Sequence, residues 1–137
     1  MKPPAPPRAP RRGARIAFAF FALLLVTATH WPRLTVPGPG PRPDLMIHFV
    51  AFGVWTGLLI ASGFFGAALS GRNVLVSAGV ALAYAALDEA TQGLPALGRT
   101  AALDDWLANA AGIVAATVGA LGAPGLARLG RGSADSR

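Results

Sequence analysis

The chain has no cysteine among its 137 residues. Disulfide cross-links and thiolate metal sites are thereby excluded, and no redox compartment can be read from it. Charge is scarce too: Asp, Glu, Lys and Arg make up 13% of the residues, and only six are acidic. With 53% hydrophobic residues and a mean hydropathy of +0.51, the chain has too little polar surface to cover a soluble globule of this size. Amphipathic stripes are also missing. The apolar residues come in long runs, which points to a bilayer as solvent. No basic face alternates with aromatics, which excludes nucleic acid as a partner. The net charge of +6 is concentrated at the two ends of the chain, a pattern suited to anionic lipid headgroups.

What is present can be taken in order. At this length there is at most one compact domain. Residues 1–14, MKPPAPPRAPRRGA, carry proline too often for a helix and read as a disordered basic tail. Residues 15–128 hold four apolar runs, a four-span membrane domain, and residues 129–137 read as a second disordered tail. The first run, Ile16 to Thr29, is short for a span. Arg15 snorkelling at one end and Trp31 at the opposite interface extend its reach. A cleaved signal peptide, with Val26-Thr27-Ala28 at the cleavage site, is the rival reading. The three further runs favour a retained first helix. Residues 32–43, PRLTVPGPGPRP, form a turn-rich loop.

The second run, Leu45 to Leu69, contains Gly53-x-x-x-Gly57, then Gly63 and Gly66, small residues that let helices approach closely in lipid. Residues 70–73 read as a tight connection. The third run extends from Val74 to Gln92, where Gly93 and Pro95 stop it. The fourth is Trp106 to Ala127, with Asp104 or Asp105 placed to cap it and Pro124-Gly125 to kink or end it. The expected architecture is an all-α integral membrane four-helix bundle. Trp55 and Trp106 are expected to face lipid or the interface.

Charge counting sets an expected topology. Nine of the twelve Lys and Arg fall in the two tails and the 70–73 turn. Arg33, Arg42 and Arg99 fall in the other two loops. Both termini are therefore expected in the cytoplasm of a multi-pass protein of the bacterial plasma membrane. Five of the six carboxylates then gather at the opposite, extracytoplasmic end of the bundle: Asp44, Asp88, Glu89, Asp104 and Asp105. Asp44 and His48, Asp88 and Gln92, and Asp105 and Asn109 are each four residues apart, so each pair shares a helical face. Gly112 continues the last stripe one turn further in. Glu89 points about 100° away from Asp88, so the two carboxylates are expected to do different jobs.

These residues resemble the VanZ-like family of small bacterial membrane proteins. Asp44-x-x-x-His48-Phe49-x-x-Phe52 is similar to its D-K-x-x-H-F-x-x-F/Y segment, and Asp88-Glu89-x-x-Gln92 to its D/E-E-x-x-Q segment. Arg99 followed by Asp104-Asp105-x-x-x-Asn109-x-x-Gly112 is similar to its R…D-D-x-x-x-N-x-x-G segment. Order and spacing fit over residues 44–112. Leu45 stands where the family commonly has lysine, which removes a cation from the site. The resemblance implies a multi-span helical membrane protein. The family's founding association is with resistance to the glycopeptide antibiotic teicoplanin, without an established shared activity.

Each residue has a plain structural reading beside a functional one. Asp104 is simplest as a helix cap. Asp105 and Asn109 serve as interhelical hydrogen-bond glue or as ligand contacts. His48 is a hydrogen-bonded structural residue or part of a site, and Arg99 neutralises carboxylates or holds an anion. Glu89 is the most readily functional, because ionisable groups at membrane depth are costly. Carboxylates this dense cannot all ionise comfortably, so one is held protonated or the pocket holds a cation. No tight ligand motif marks a dedicated metal site, and no cofactor is implied. Three functions follow. The first is binding of a lipid-linked or cell-wall component, or a glycopeptide, in an outward pocket of the cell envelope. The second is an enzyme acting on such a component, with Glu89 or Asp105 as acid/base. The third, a transport path, ranks last because the cytoplasmic halves of helices two to four carry no charge.

Overall fold

In a computed structural model, residues 11–32, 42–95 and 102–134 are described, with side chains up to residue 123. All secondary structure among them is helical. The helices are α1 (Arg11–Thr29), α2 (Pro43–Ser62), α3 (Gly71–Gln92) and α4 (Leu103–Ala134). Each contains a stretch long and apolar enough to cross a membrane, which in α4 is Leu103–Ala123. The protein is thus an all-α, multi-pass membrane bundle with up-down-up-down connectivity. The C-termini of α1 and α3 meet the N-termini of α2 and α4 at one end, hereafter the acidic end.

Several boundaries differ from those expected. Helix α1 opens at Arg11, so residues 11–14 belong to the helix and not to the tail. The extra turn gives the short apolar run a spanning length of 19 residues. Arg15 then reaches α2: its Nε donates to the Ser62 carbonyl at 3.1 Å, and its guanidinium lies 5.0 Å from the Phe64 ring centre. A cation on the last carbonyls of a helix is favoured by the helix dipole. Ser62 returns a hydrogen bond to the Ala14 carbonyl at 3.3 Å.

Helix α2 stops at Ser62, seven residues before the apolar run ends. Gly63 adopts the left-handed conformation (φ 59°, ψ 38°) and its N–H bonds back to Ile60 O at 3.1 Å. A glycine there carries no Cβ penalty, so Gly63 terminates the helix instead of packing against another. The turn that follows is fastened by Asn73, which is fully buried. Its amide nitrogen donates to Ile60 O at 2.9 Å and Ala68 O at 2.8 Å, and its oxygen accepts the Phe65 N–H at 3.1 Å. Ser70 caps α3 by accepting the Asn73 N–H. Helix α4 continues past Pro124 to Ala134, beyond the expected end at Ala127. Of the tails, residues 1–10 and 135–137 lie outside the described residues.

Helix α2 is central and touches the other three helices; its most extensive contact is with α4, to which it runs parallel. The contact is backbone on backbone. A Cβ built on Gly53 would lie 3.3 Å from Gly112 O, and one on Gly112 would overlap the Phe49 carbonyl oxygen. Gly57, the other half of the small-residue motif, faces open space. Beside this contact the core gathers Phe52, Trp55, Leu59, Ala81, Ala85 and Ile113. Trp55 corrects an expectation: it is 5% exposed and stacks on Tyr84 of α3 at 5.0 Å between ring centres. Trp106 is half-buried against the same core. Trp31 does stand exposed at the acidic end.

The glycine contact generates a paired prediction. Gly112→Ala overpacks the α2–α4 seam and is expected to cost about 1–3 kcal/mol. Gly57→Ala, with nothing within 4 Å of its Cβ, is expected to be neutral or stabilising by up to about 1 kcal/mol through helix propensity. Thermal unfolding of the two variants in one detergent checks the ordering.

Candidate functional site

Eight of the nine residues proposed as a binding site occupy the acidic end. The ninth, Arg99, lies outside the described residues. The eight form distinct clusters with separate partners, and they recruit four residues that spacing alone did not single out.

At the surface, Arg42 precedes α2 and gathers the first turns of two helices. Its Nε and Nη2 donate to Asp44, its Nη1 to Asp104, and its Nη2 also to Asp105 at 3.1 Å. The hydrogen bond to Asp44, then that to Asp104, holds the guanidinium pKa above its already high range, so Arg42 is a permanent cation. Asp104 therefore serves Arg42 and is not the expected helix cap. Its second oxygen accepts the adjacent Asp105 N–H at 3.2 Å.

The N-terminus of α4 is held instead from across the bundle. Glu89 Oε1 on α3 accepts the Ala102 N–H at 2.6 Å. A capping-box glutamate satisfies the same kind of orphan donor from within its own helix; here it comes from a neighbouring helix. Glu89 Oε2 is buried with no hydrogen-bond partner among the described residues.

One layer inward, His48 of α2 meets α4. Its Nδ1 lies 2.9 Å from Asn109 Oδ1, and an amide oxygen only accepts, so Nδ1 carries the hydrogen in this arrangement. Its Nε2 is turned to Asp105 Oδ2 at 3.8 Å. The amide nitrogen of Asn109, a fully buried residue, has no partner among the described residues. The Asp105–Asn109 spacing thus places two polar groups around one imidazole.

The third cluster lies between α3 and α1. Asp88, 1% exposed, accepts Gln92 Nε2 at 2.8 Å, Thr29 Oγ1 at 2.8 Å and Tyr84 Oη at 3.4 Å. His30 lies beside it, with Nδ1 3.7 Å from Asp88 Oδ1 and Nε2 2.9 Å from Thr91 Oγ1. Asp88 and Glu89 do diverge, one toward α1 and the other toward α4.

Arg42, Thr29, His30 and Tyr84 escaped the motif spacing. Arg42 sits in a stretch that reads as loop. Thr29 and His30 sit at the end of a helix whose retention was itself the question. Tyr84, four residues before Asp88, was the one with a signal: it shares Asp88's helical face.

An apolar cavity of about 230 Å³ opens between α1 and α2, and its polar lining is Thr29, Asp44 and His48. Among the described residues no group of three or more His, Asp or Glu side chains is arranged to hold a metal ion. The arrangement can accept hydrogen bonds and positive charge through its carboxylates, and exchange a proton at His48. Comparison with protein-family models, curated proteins and solved structures gives no match.

The cluster geometry separates structural carboxylates from the rest. Asp88→Ala removes the acceptor of the buried Gln92 amide and is expected to cost about 1–3 kcal/mol. Asp88→Asn is expected to cost less, because it keeps an acceptor oxygen. Arg42→Ala, in the exposed cluster, is expected to shift the melting temperature slightly at low salt and not at high salt. Melting curves at two ionic strengths check all three.

Proposed function

We propose that the protein is a VanZ-like membrane protein whose acidic end is an extracytoplasmic binding pocket for a cell-envelope component, either lipid-linked or part of the wall. The observation that carries this reading is the gathering of three sequence segments at one end of the bundle. Asp44 to His48 and Asp105 to Asn109 meet through Arg42 and through His48–Asn109, and Glu89 of the third segment joins them by holding the Ala102 N–H, although up to 65 residues separate these segments in the chain. At this end a buried carboxylate oxygen on Glu89 and a buried amide on Asn109 have no partner among the described residues, as Trp55 Nε1 and Ser77 Oγ have none elsewhere in the bundle; each such group costs free energy unless something satisfies it, and a ligand at the acidic end would satisfy the first two. The family association with teicoplanin resistance makes a glycopeptide a second candidate ligand.

An enzyme reading has its own support. His48 is oriented by Asn109 and flanked by Asp105, the base-plus-orienter arrangement of acid/base sites. Glu89 brings one unpartnered oxygen. On this reading Glu89→Gln abolishes turnover of a lipid-linked or cell-wall substrate and leaves binding largely intact. Equal loss of both rules the enzyme out.

The orientation is testable because the chain lacks cysteine. Leu103→Cys, at an exposed position of the acidic end, is expected to react with a membrane-impermeant maleimide on intact bacterial cells. Arg72→Cys, exposed at the other end, is expected to react only after permeabilisation. The reverse pattern turns the protein over and removes the envelope pocket.

A further inference from the structure

We propose that the gap between α1 and α2 is a groove for the hydrocarbon chain of a single-chain amphiphile whose cationic head rests against the acidic end. This deepens the binding reading above and rests on it.

The groove has one polar end. Phe21, Leu25 and Ala28 of α1 face Ile47, Ala51 and Phe52 of α2 along it, and its polar residues, Thr29, Asp44 and His48, all belong to the acidic end. Such a polarity gradient matches an amphiphile lying along the helices, with its chain toward the bilayer interior and its head at the interface. At about 230 Å³ the cavity falls below the roughly 300–1,000 Å³ usual for sites that engulf a small molecule. It has room for a chain, with the head outside it. Leu24 and Ile47 line it and are 53% and 43% exposed, so its open side faces lipid. Entry needs no passage through water.

Charge complementarity selects the head. The acidic end carries five carboxylates, on Asp44, Asp88, Glu89, Asp104 and Asp105, against three arginines of its two connecting segments, Arg33, Arg42 and Arg99, of which Arg42 is among the described residues. Arg42 is shared by three of them. An ammonium or similar cation entering beside Asp44 and His48 relieves the excess negative charge, and next to low-dielectric lipid that attraction is weakly screened. A phosphate head meets repulsion at the same place. Asp44 belongs to both halves of the site: it lines the groove and sits in the charged cluster.

The test uses the full chain in phosphatidylcholine nanodiscs with three diazirine-bearing long-chain probes: an alkylamine, an alkyl alcohol and an alkyl phosphate. Adducts are mapped by mass spectrometry, and melting is followed with each probe. The expected result is crosslinking concentrated on Ala28, Ile47 and Ala51, with the amine several-fold above the phosphate and the alcohol between them. Ala51→Trp fills the groove and is expected to abolish these adducts. Ala28→Phe fills it from the opposite wall and serves should Ala51→Trp fail to fold. Asp44→Asn is expected to bring the amine down toward the alcohol.

Adducts spread over all lipid-facing helices, or surviving both filling variants, overturn the groove. If the amine still raises the melting temperature in that case, and Asp105→Asn removes the effect, the acidic-end pocket stands and only the groove is lost. Groove adducts indifferent to the head, with no melting shift from the amine, overturn the cationic amphiphile and the pocket together.

Discussion

The backbone contact between α2 and α4 sets everything at the acidic end. Gly112 lies so close beneath the Phe49 carbonyl that no side chain fits, and Gly53 closes the contact from the other side. Two parallel helices pinned at that point have a fixed register. One turn toward the acidic end, His48 is opposite Asn109, and at the helix starts Arg42 is opposite Asp104 and Asp105. Sliding either helix by a residue would separate these partners. In lipid, helix association draws on close packing and polar contacts instead of a hydrophobic drive, so a glycine seam both joins the helices and aims their side chains.

The second constraint is that polar groups at membrane depth must find partners within the protein. The protein meets it unevenly. Asp88 is satisfied on both oxygens by donors from α1 and α3, and Asn73 uses every hydrogen-bonding group of its side chain to hold the α2–α3 turn. These residues are structural in the plain sense. Glu89 and Asn109 each spend half of their capacity on the fold and leave the other half buried without a partner among the described residues. Of the four buried side-chain groups without a partner among the described residues, those of Glu89 and Asn109 lie at the acidic end and those of Trp55 and Ser77 elsewhere in the bundle.

Much of this was legible before any coordinates. Four apolar runs gave four helices, and the i,i+4 spacings correctly paired Asp88 with Gln92 and placed Asp105 and Asn109 around one partner, because a straight helix enforces that geometry. Helix ends were harder. Gly63 and Gly66 looked like interface glycines within a long run, and only the backbone conformation distinguishes an αL stop from a packing glycine. Trp55 looked lipid-facing because hydropathy carries no direction, and α2 is apolar on all sides. Arg42 was hidden because a loop residue has no periodicity to announce its neighbours. The capping of α4 by Glu89 joins residues 13 apart across a proline-containing turn, and no local pattern encodes it.

The most direct test of the α2–α4 register and the site it builds is a double-mutant cycle on His48 and Asn109. His48→Ala, Asn109→Ala and the double variant are unfolded in the same detergent as the parent. The expected result is a coupling energy of about 1 kcal/mol or more, typical of buried groups in direct contact. Additive effects within about 0.3–0.5 kcal/mol, as found for independent sites, would contradict the register and with it the meeting of the α2 and α4 segments at the acidic end.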